Sequence, residues 1–190
     1  MDSAANLFGH MLIAMPSLGD PNFSRTVVLL GAHSPDEGAF GLVINRALEV
    51  DLSDILEELG LEVPRHQLPP VLAGGPVEPS HGFVLFEIGD GIAGKDDLEL
   101  PFGLTVSGSA DTLAELASGS RSQRYSLILG YAGWYPGQLE KEIEENSWLV
   151  APLESSIVFD VPLDQRWNAA LSSIGVDPGT LVDSGSASPA

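Results

Sequence analysis

RTVVLLGAHSPDEGAFGLVIN, residues 25–45, is two apolar runs joined by a turn. The first, Arg25 to Ala32, is β-branched and apolar, the composition of a strand. Ser34-Pro-Asp-Glu-Gly38 supplies turn chemistry, with glycine free to take a positive φ. Ala39 to Asn45 returns as a second strand, so the spacing predicts a β-hairpin over 25–45. Upstream, HMLIAMP (10–16) is a short apolar run closed by proline and reads as a buried strand. Leu18-Gly-Asp-Pro-Asn22 is a second turn. Downstream, DLSDILEEL (51–59) places Leu52, Ile55, Leu56 and Leu59 on one helical face, with Gly60 as the stop.

The rest of the chain continues the mixture. Short strands are expected at 71–74, ending in Gly74-Gly75-Pro76, and at 82–88; Pro101 interrupts one or two more over 98–106. Ser109 is placed to cap a helix running to about Ala117, which Gly119 stops. YSLILGY (125–131) reads as a central strand. Pro136 sits where a first helical residue belongs, and 137–146 is helical and very acidic. Strands are expected at 148–151 and 156–159, and a last helix over 165–173, capped by Asp164 and ended by Gly175. Helices and strands alternate without regular βαβ spacing, so the fold class is α+β with one mixed sheet. With no repeat or interior linker, residues 1–182 form a single domain. Residues 183–190 are small and polar and are expected to be a disordered tail.

Composition excludes several functions. The chain has 190 residues, 44% of them hydrophobic, with Lys plus Arg 8 against Asp plus Glu 27 and a net charge of −19. Its mean hydropathy is +0.15 and its pI about 4.2. Nucleic-acid affinity comes largely from Lys and Arg displacing counterions, so direct binding to nucleic acid or to anionic membranes is not expected. Cysteine is absent, which removes disulfides, thiol nucleophiles and thiolate metal sites. The N-terminus lacks the basic start and the apolar run of a signal peptide, and nothing approaches a membrane span. The expected location is the cytoplasm.

The familiar chemical motifs fail. Gly89-Asp-Gly91-Ile-Ala-Gly94-Lys95 is a literal GxGxxG after an expected strand. The residues that follow it are acidic and read as strand, where a phosphate loop needs a helix. His10, His33, His66 and His81 show no metal-ligand spacing, and His33 reads as a solvated turn residue. There is no GxSxG elbow and no P-loop. Glu140, Glu142, Glu144 and Glu145 read as a solvated acidic face favoured by the helix dipole. No metal or other cofactor is expected.

What remains are polar residues in apolar or glycine-rich surroundings. Asp20 and Arg25 flank a turn and are expected to close it as an ion pair. Asn45 ends a buried strand. Gly74-Gly75-Pro76 and Gly130-Tyr-Ala-Gly133 suit close approach of two backbones, with Gly133 expected at a crowded or positive-φ position. Trp134, Trp148 and Trp167 read as core or rim aromatics. Glu140 is expected to bridge to Arg25 or Arg46. The candidate binding residues are Arg25, Asn45, Gly74, Gly75, Trp134, Gln138 and Glu140; no catalytic residue is assigned.

HMLIAMPSLGDPNFSRTVVLL, HSPDEGAFGLVINR, AGGPV and GYAGWYPGQLEKEIEENSW together resemble the AlgH/YqgE family (UPF0301, DUF179) of small bacterial proteins, in order from about Leu12 to Trp167. The resemblance implies a single α+β domain with a bifurcated or pseudo-barrel mixed sheet flanked by helices. It implies a cytosolic bacterial protein with no established activity and a transcriptional-regulator label. No helix-turn-helix pattern supports direct DNA contact. The family pattern has an Arg and a His after Gly75-Pro76-Val77 where this chain has His81 and Phe86. A site for an anionic ligand built on that pair would be lost or altered here. The leading reading is a non-enzymatic binding or regulatory module acting through a protein partner or a small ligand. The rival is an enzyme with a site near the Gly74-Gly75 and Tyr131–Gln138 loops.

Overall fold

The computed structural model describes residues 6–89, 93–120 and 123–181. The expected tail (183–190) and the middle of the GxGxxG segment (90–92) lie outside the described residues. The strands are β1 (His10–Ala14), β2 (Val27–Ser34), β3 (Gly38–Val43), β4 (Leu72–Ala73), β5 (Val77–Glu87), β6 (Leu98–Glu99), β7 (Leu104–Ser107), β8 (Tyr125–Trp134) and β9 (Trp148–Pro152). The helices are α1 (Leu52–Glu58), α2 (Ala110–Ala117), α3 (Gln138–Glu144), α4 (Ser155–Phe159) and α5 (Arg166–Ser173). The fold is α+β in one domain.

The strand order is β6-β7-β5-β8-β3-β2-β1-β9, antiparallel throughout, with β4 added parallel to β8. The predicted hairpin is β2–β3, paired from Val28 opposite Val43 to Ser34 opposite Gly38 with a one-residue register shift between Leu30 and Ala32. Strand β8 belongs to both halves of the sheet. Its first part, Tyr125 to Leu129, pairs with β5, as does Tyr131 with Val77 beyond a register shift, and Ile128 and Leu129 pair also with β4; its last part, Ala132 to Trp134, pairs with β3. The sheet is therefore bifurcated, and the fork lies between Leu129 and Ala132.

Both sheet faces are covered, which is why the strands read as unbroken apolar runs rather than alternating ones. Met11, Ile13, Val27, Leu29, Leu85 and Ile128 point into a central core closed by Ile157 and Val158 of α4 and Trp167 and Leu171 of α5. Their neighbours Leu12, Val28 and Leu30 face a second core under α3, with Trp134 and Trp148. Val84, Phe86 and Leu127 face a third, under α1 and α2. Ser109 caps α2 by accepting a hydrogen bond from the Thr112 amide, as its position predicts.

Three local expectations are corrected. Residues 155–159 form helix α4, not a strand. Ile157 and Val158 are adjacent and both enter the central core, which a helix permits and the alternation of a strand forbids. Helix α3 begins at Gln138 rather than at Pro136, after Gly137 takes a left-handed φ of 75°. Asp164 lies inside a 3-10 turn, Leu163–Gln165, and makes no capping bond to α5.

Candidate functional site

The residues singled out by sequence do not converge on one pocket. Gly74 and Gly75 make the fork of the sheet. The Gly74 amide donates to Leu129 O at 2.7 Å, and Gly74 O accepts from the Val43 amide at 2.9 Å. A Cβ on Gly74 would sit 2.2 Å from Gly130 O, and one on Gly75 2.2 Å from the Tyr131 carbonyl carbon. Gly130, at φ +75°, interlocks with them. The crowding expected at Gly133 is not there: its nearest neighbour would be the Tyr131 ring at 3.7 Å.

Arg25 and Asn45 lie together at the open end of the hairpin. The Asn45 side chain accepts from the Val27 amide and donates to Arg25 O, both at 2.9 Å. It thus extends the β2–β3 pairing by one rung. The Asp20–Arg25 ion pair does not form among the described residues. Asp20 accepts from the Asn22 amide, and Arg25, at φ 53°, lies 4.4 Å over the Trp167 ring. Arg46 holds the same loop by donating to Pro21, Asn22 and Ser24 carbonyls.

Glu140 does not reach Arg25 or Arg46. Its Oε1 lies 3.0 Å from His33 Nε2, while His33 Nδ1 accepts from the Leu7 amide at 3.1 Å. That second bond fixes the proton on Nε2, which donates to Glu140. His33 is not the solvated residue expected, since its side chain is 1% exposed. Trp134 and Gln138 join a network whose hub is Glu142. Glu142 Oε2 accepts from both the Trp134 and Trp148 indoles, at 2.9 and 2.8 Å, and Oε1 accepts from Gln138 Nε2 at 2.9 Å. Gln138 Oε1 in turn accepts from the Tyr135 amide. Every member is partnered, which marks this cluster as architecture. Of the two residues expected to depart from the family pattern, Phe86 is buried under α1 and α2, and the His81 ring lies tilted against Phe83 with centroids 4.7 Å apart.

A different cluster is left open. A cleft of about 560 Å³ lies between the 67–70 segment, the start of β8, the end of α4 and the first residue of α5. That volume is in the range of small-molecule sites. Two atoms among its lining residues, Gln123 Oε1 and Tyr125 Oη, are buried with no hydrogen-bond partner among the described residues. Gln123 Nε2 donates to Ile88 O at 2.7 Å, which leaves the oxygen as the spare group. Burial raises the Tyr125 pKa above its ordinary value.

The two arginines of the cleft differ in kind. Arg124 forks onto Glu87 through Nε and Nη2, at 2.9 and 2.5 Å, and also pairs with Asp160. These hydrogen bonds hold its pKa above the usual arginine value. Arg166 is 6% exposed, and donates from Nε to Val161 O and from Nη1 to Ile44 O, both neutral acceptors. No carboxylate pairs with it among the described residues. Burial lowers its pKa to about 10, so it remains a cation at neutral pH.

The sequence assigns no site role to Gln123, Tyr125, Arg124 or Arg166, and the solvated face expected for Glu142 is corrected, since its carboxylate turns to the two indoles. One signal was present for Arg166. Arg166, Trp167, Ala170 and Leu171 are the buried residues of α5, so their spacing puts an arginine on the apolar stripe. The orphan atoms of Gln123 and Tyr125 have no such signal, because their isolation is set by tertiary neighbours.

Among the described residues, no helix is long and apolar enough to cross a membrane. The AlgH-like family, DUF179, matches residues 11–179. A UPF0301 protein of Magnetococcus marinus is 46% identical over 179 residues, 94% of this chain and 95% of that protein. One of Paracoccus denitrificans is 45% identical over 181 residues, with 94% and 95% covered. Among solved structures, the solution structure of the AlgH protein from Pseudomonas aeruginosa superposes with a TM-score of 0.75 at 38% identity, covering 100% of this chain and 99% of that one. A Corynebacterium diphtheriae crystal structure gives 0.69 at 25% identity, over 90% and 88%. With the bifurcated sheet, its glycine fork and a match over nearly the whole chain, this protein belongs to the AlgH-like, UPF0301 family.

Proposed function

We propose that the chain is a non-enzymatic binding module of the bacterial cytoplasm that takes a small ligand in the cleft at the start of β8. The observation that carries this reading is that two residues lining one cleft, Gln123 and Tyr125, each hold a buried polar atom, Oε1 and Oη, with no hydrogen-bond partner among the described residues. An unpartnered buried group costs about 1–3 kcal/mol, a cost a bound ligand removes. The cleft lining has no histidine, and its one carboxylate, Asp160, is tied to Arg124. Tyr125, its other ionisable neutral group, keeps its proton at neutral pH because burial raises its pKa, so no general base is in place, which favours binding over catalysis. The charge of −19 opposes DNA as the partner.

Saturation-transfer NMR of the protein in a bacterial metabolite extract tests the reading. Small-molecule signals should be attenuated by the wild type and not by Ser126→Leu, which fills the cleft wall, provided both melt alike. Equal attenuation by both, or none by either, contradicts it. Duplex DNA should give no gel shift at physiological salt; a salt-dependent shift at micromolar protein would remove the DNA-free part of the reading.

A further inference from the structure

The next step rests on the ligand-binding reading above and names the chemistry that the cleft selects. We infer that it seats a small oxyanion-bearing molecule, a carboxylate or phosphate, met by Arg166, with a neighbouring hydroxyl or amine on the ligand met by Gln123 and Tyr125.

Charge is the first argument. The charged residues lining the cleft are two arginines, Arg124 and Arg166, against one aspartate, Asp160. Glu87, outside the lining, also binds Arg124, so among the described residues Arg166 is the cleft charge left without a paired carboxylate, in a chain of net charge −19. The available charge is that of Arg166, because Arg124 is already held by two carboxylates. A guanidinium has five N–H groups, and the two carbonyls that Arg166 meets take only two of them. Arg166 is buried, so its charge is poorly solvated and lacks a counter-charge; an incoming oxyanion supplies one where the screening by water is weak. Lysine would serve less well there, since the planar fork matches carboxylate and phosphate geometry.

Polarity is the second. Gln123 Oε1 accepts hydrogen bonds and cannot donate, so a bare carboxylate opposite it would be repelled. The ligand must present a donor beside its anion. Tyr125 Oη satisfies either sense. Both atoms are shut off from bulk water, so seating the ligand involves a small shift of the wall that brings them to it. Leu68, Pro69, Pro70, Phe159 and Leu163 give the remainder of the cleft an apolar surface, suited to the carbon body of such a molecule.

The inference is tested by NMR titration of the labelled full-length protein at constant ionic strength, read at the arginine Nε–Hε and backbone amide signals. The probes are sodium glycolate, sodium acetate, inorganic phosphate and neutral acetamide. Glycolate should give saturable shifts confined to residues 67–72, 123–126 and 159–166 and to the Arg166 Nε–Hε signal. It should bind several-fold more tightly than acetate, because only glycolate carries the hydroxyl donor; acetamide should shift nothing. Gln123→Glu, which places a carboxylate at the orphan acceptor and spares Arg166, should weaken glycolate roughly tenfold. Arg166→Lys should weaken it while keeping the fold, as judged by the amide spectrum. Shifts that do not saturate, that map elsewhere, or that ignore both substitutions signify an adventitious ion only and overturn the inference. Should metabolites from the extract occupy the cleft while no anion does, the ligand site stands and its anionic character falls. Should neither bind, both readings fall.

Discussion

Two partly buried polar clusters in this protein have opposite character. Around Glu142, two indole N–H groups, an amide and a backbone N–H are matched by carboxylate and amide oxygens with nothing left over. In the cleft of Arg166, among the described residues, a buried cation has only neutral partners, and two oxygens of lining residues have none. A closed network returns in hydrogen bonds what burial takes from its members, so it needs nothing further than the fold. An open one leaves a cost standing in the folded protein, which something outside the chain can remove. The sequence-derived candidates Trp134 and Gln138 fall in the closed cluster, and the candidate ligand seat is the other.

The substitution with the largest expected effect acts on both clusters at once. Glu142 and its tryptophans lie on the β3 half of the sheet, Gln123 and Tyr125 on the β5 half, and the Gly74 fork joins the halves. Gly74→Ala should cost about 3–5 kcal/mol in urea unfolding, because its methyl would meet Gly130 O at 2.2 Å. Wild-type stability would show that the fork is slack. Glu142→Leu comes next. It strands the indole N–H groups of Trp134 (6% exposed) and Trp148 (1% exposed), and should cost about 2–4 kcal/mol with a change in tryptophan emission. A loss under about 1 kcal/mol would mean that the network is not closed in the sense argued. Asn45→Ala removes one rung at the end of the hairpin and should cost about 1–2 kcal/mol, measured the same way.

How far the sequence carried varies with the kind of feature. The β2–β3 hairpin and the central strand β8 were legible because strands covered on both faces must be continuously apolar. The glycine fork was legible as a close approach at Gly74-Gly75, although Gly133, read in the same way, stands free. Helix α4 differs from the expected strand because a short run such as Ile157-Val-Phe159 has the same composition in either state. The acidic run 140–145 was read as solvated. That suits the surface pair of Lys141 with Glu145, but Glu142 and Glu140 turn inward to indoles and to His33. Local sequence states that a carboxylate is present; which donors reach it depends on β2, β8 and β9 arriving from elsewhere in the chain.

The smallest expected effect has the most informative sign. Removing a buried hydroxyl that is hydrogen-bonded destabilises a protein, whereas removing one that is orphaned does not. The raised pKa of Tyr125 adds a second signature. The folded state keeps the phenolic proton above the pH, near 10.0, at which the unfolded chain loses it, so this group's stabilisation is lost as pH rises from there through the folded value. Tyr125→Phe should flatten that fall. At neutral pH, the urea midpoint of Tyr125→Phe tests the account directly. The variant is expected to be as stable as the wild type or up to about 1 kcal/mol more stable. A loss of about 1 kcal/mol or more would show that the hydroxyl is already satisfied and that the cleft wall is closed.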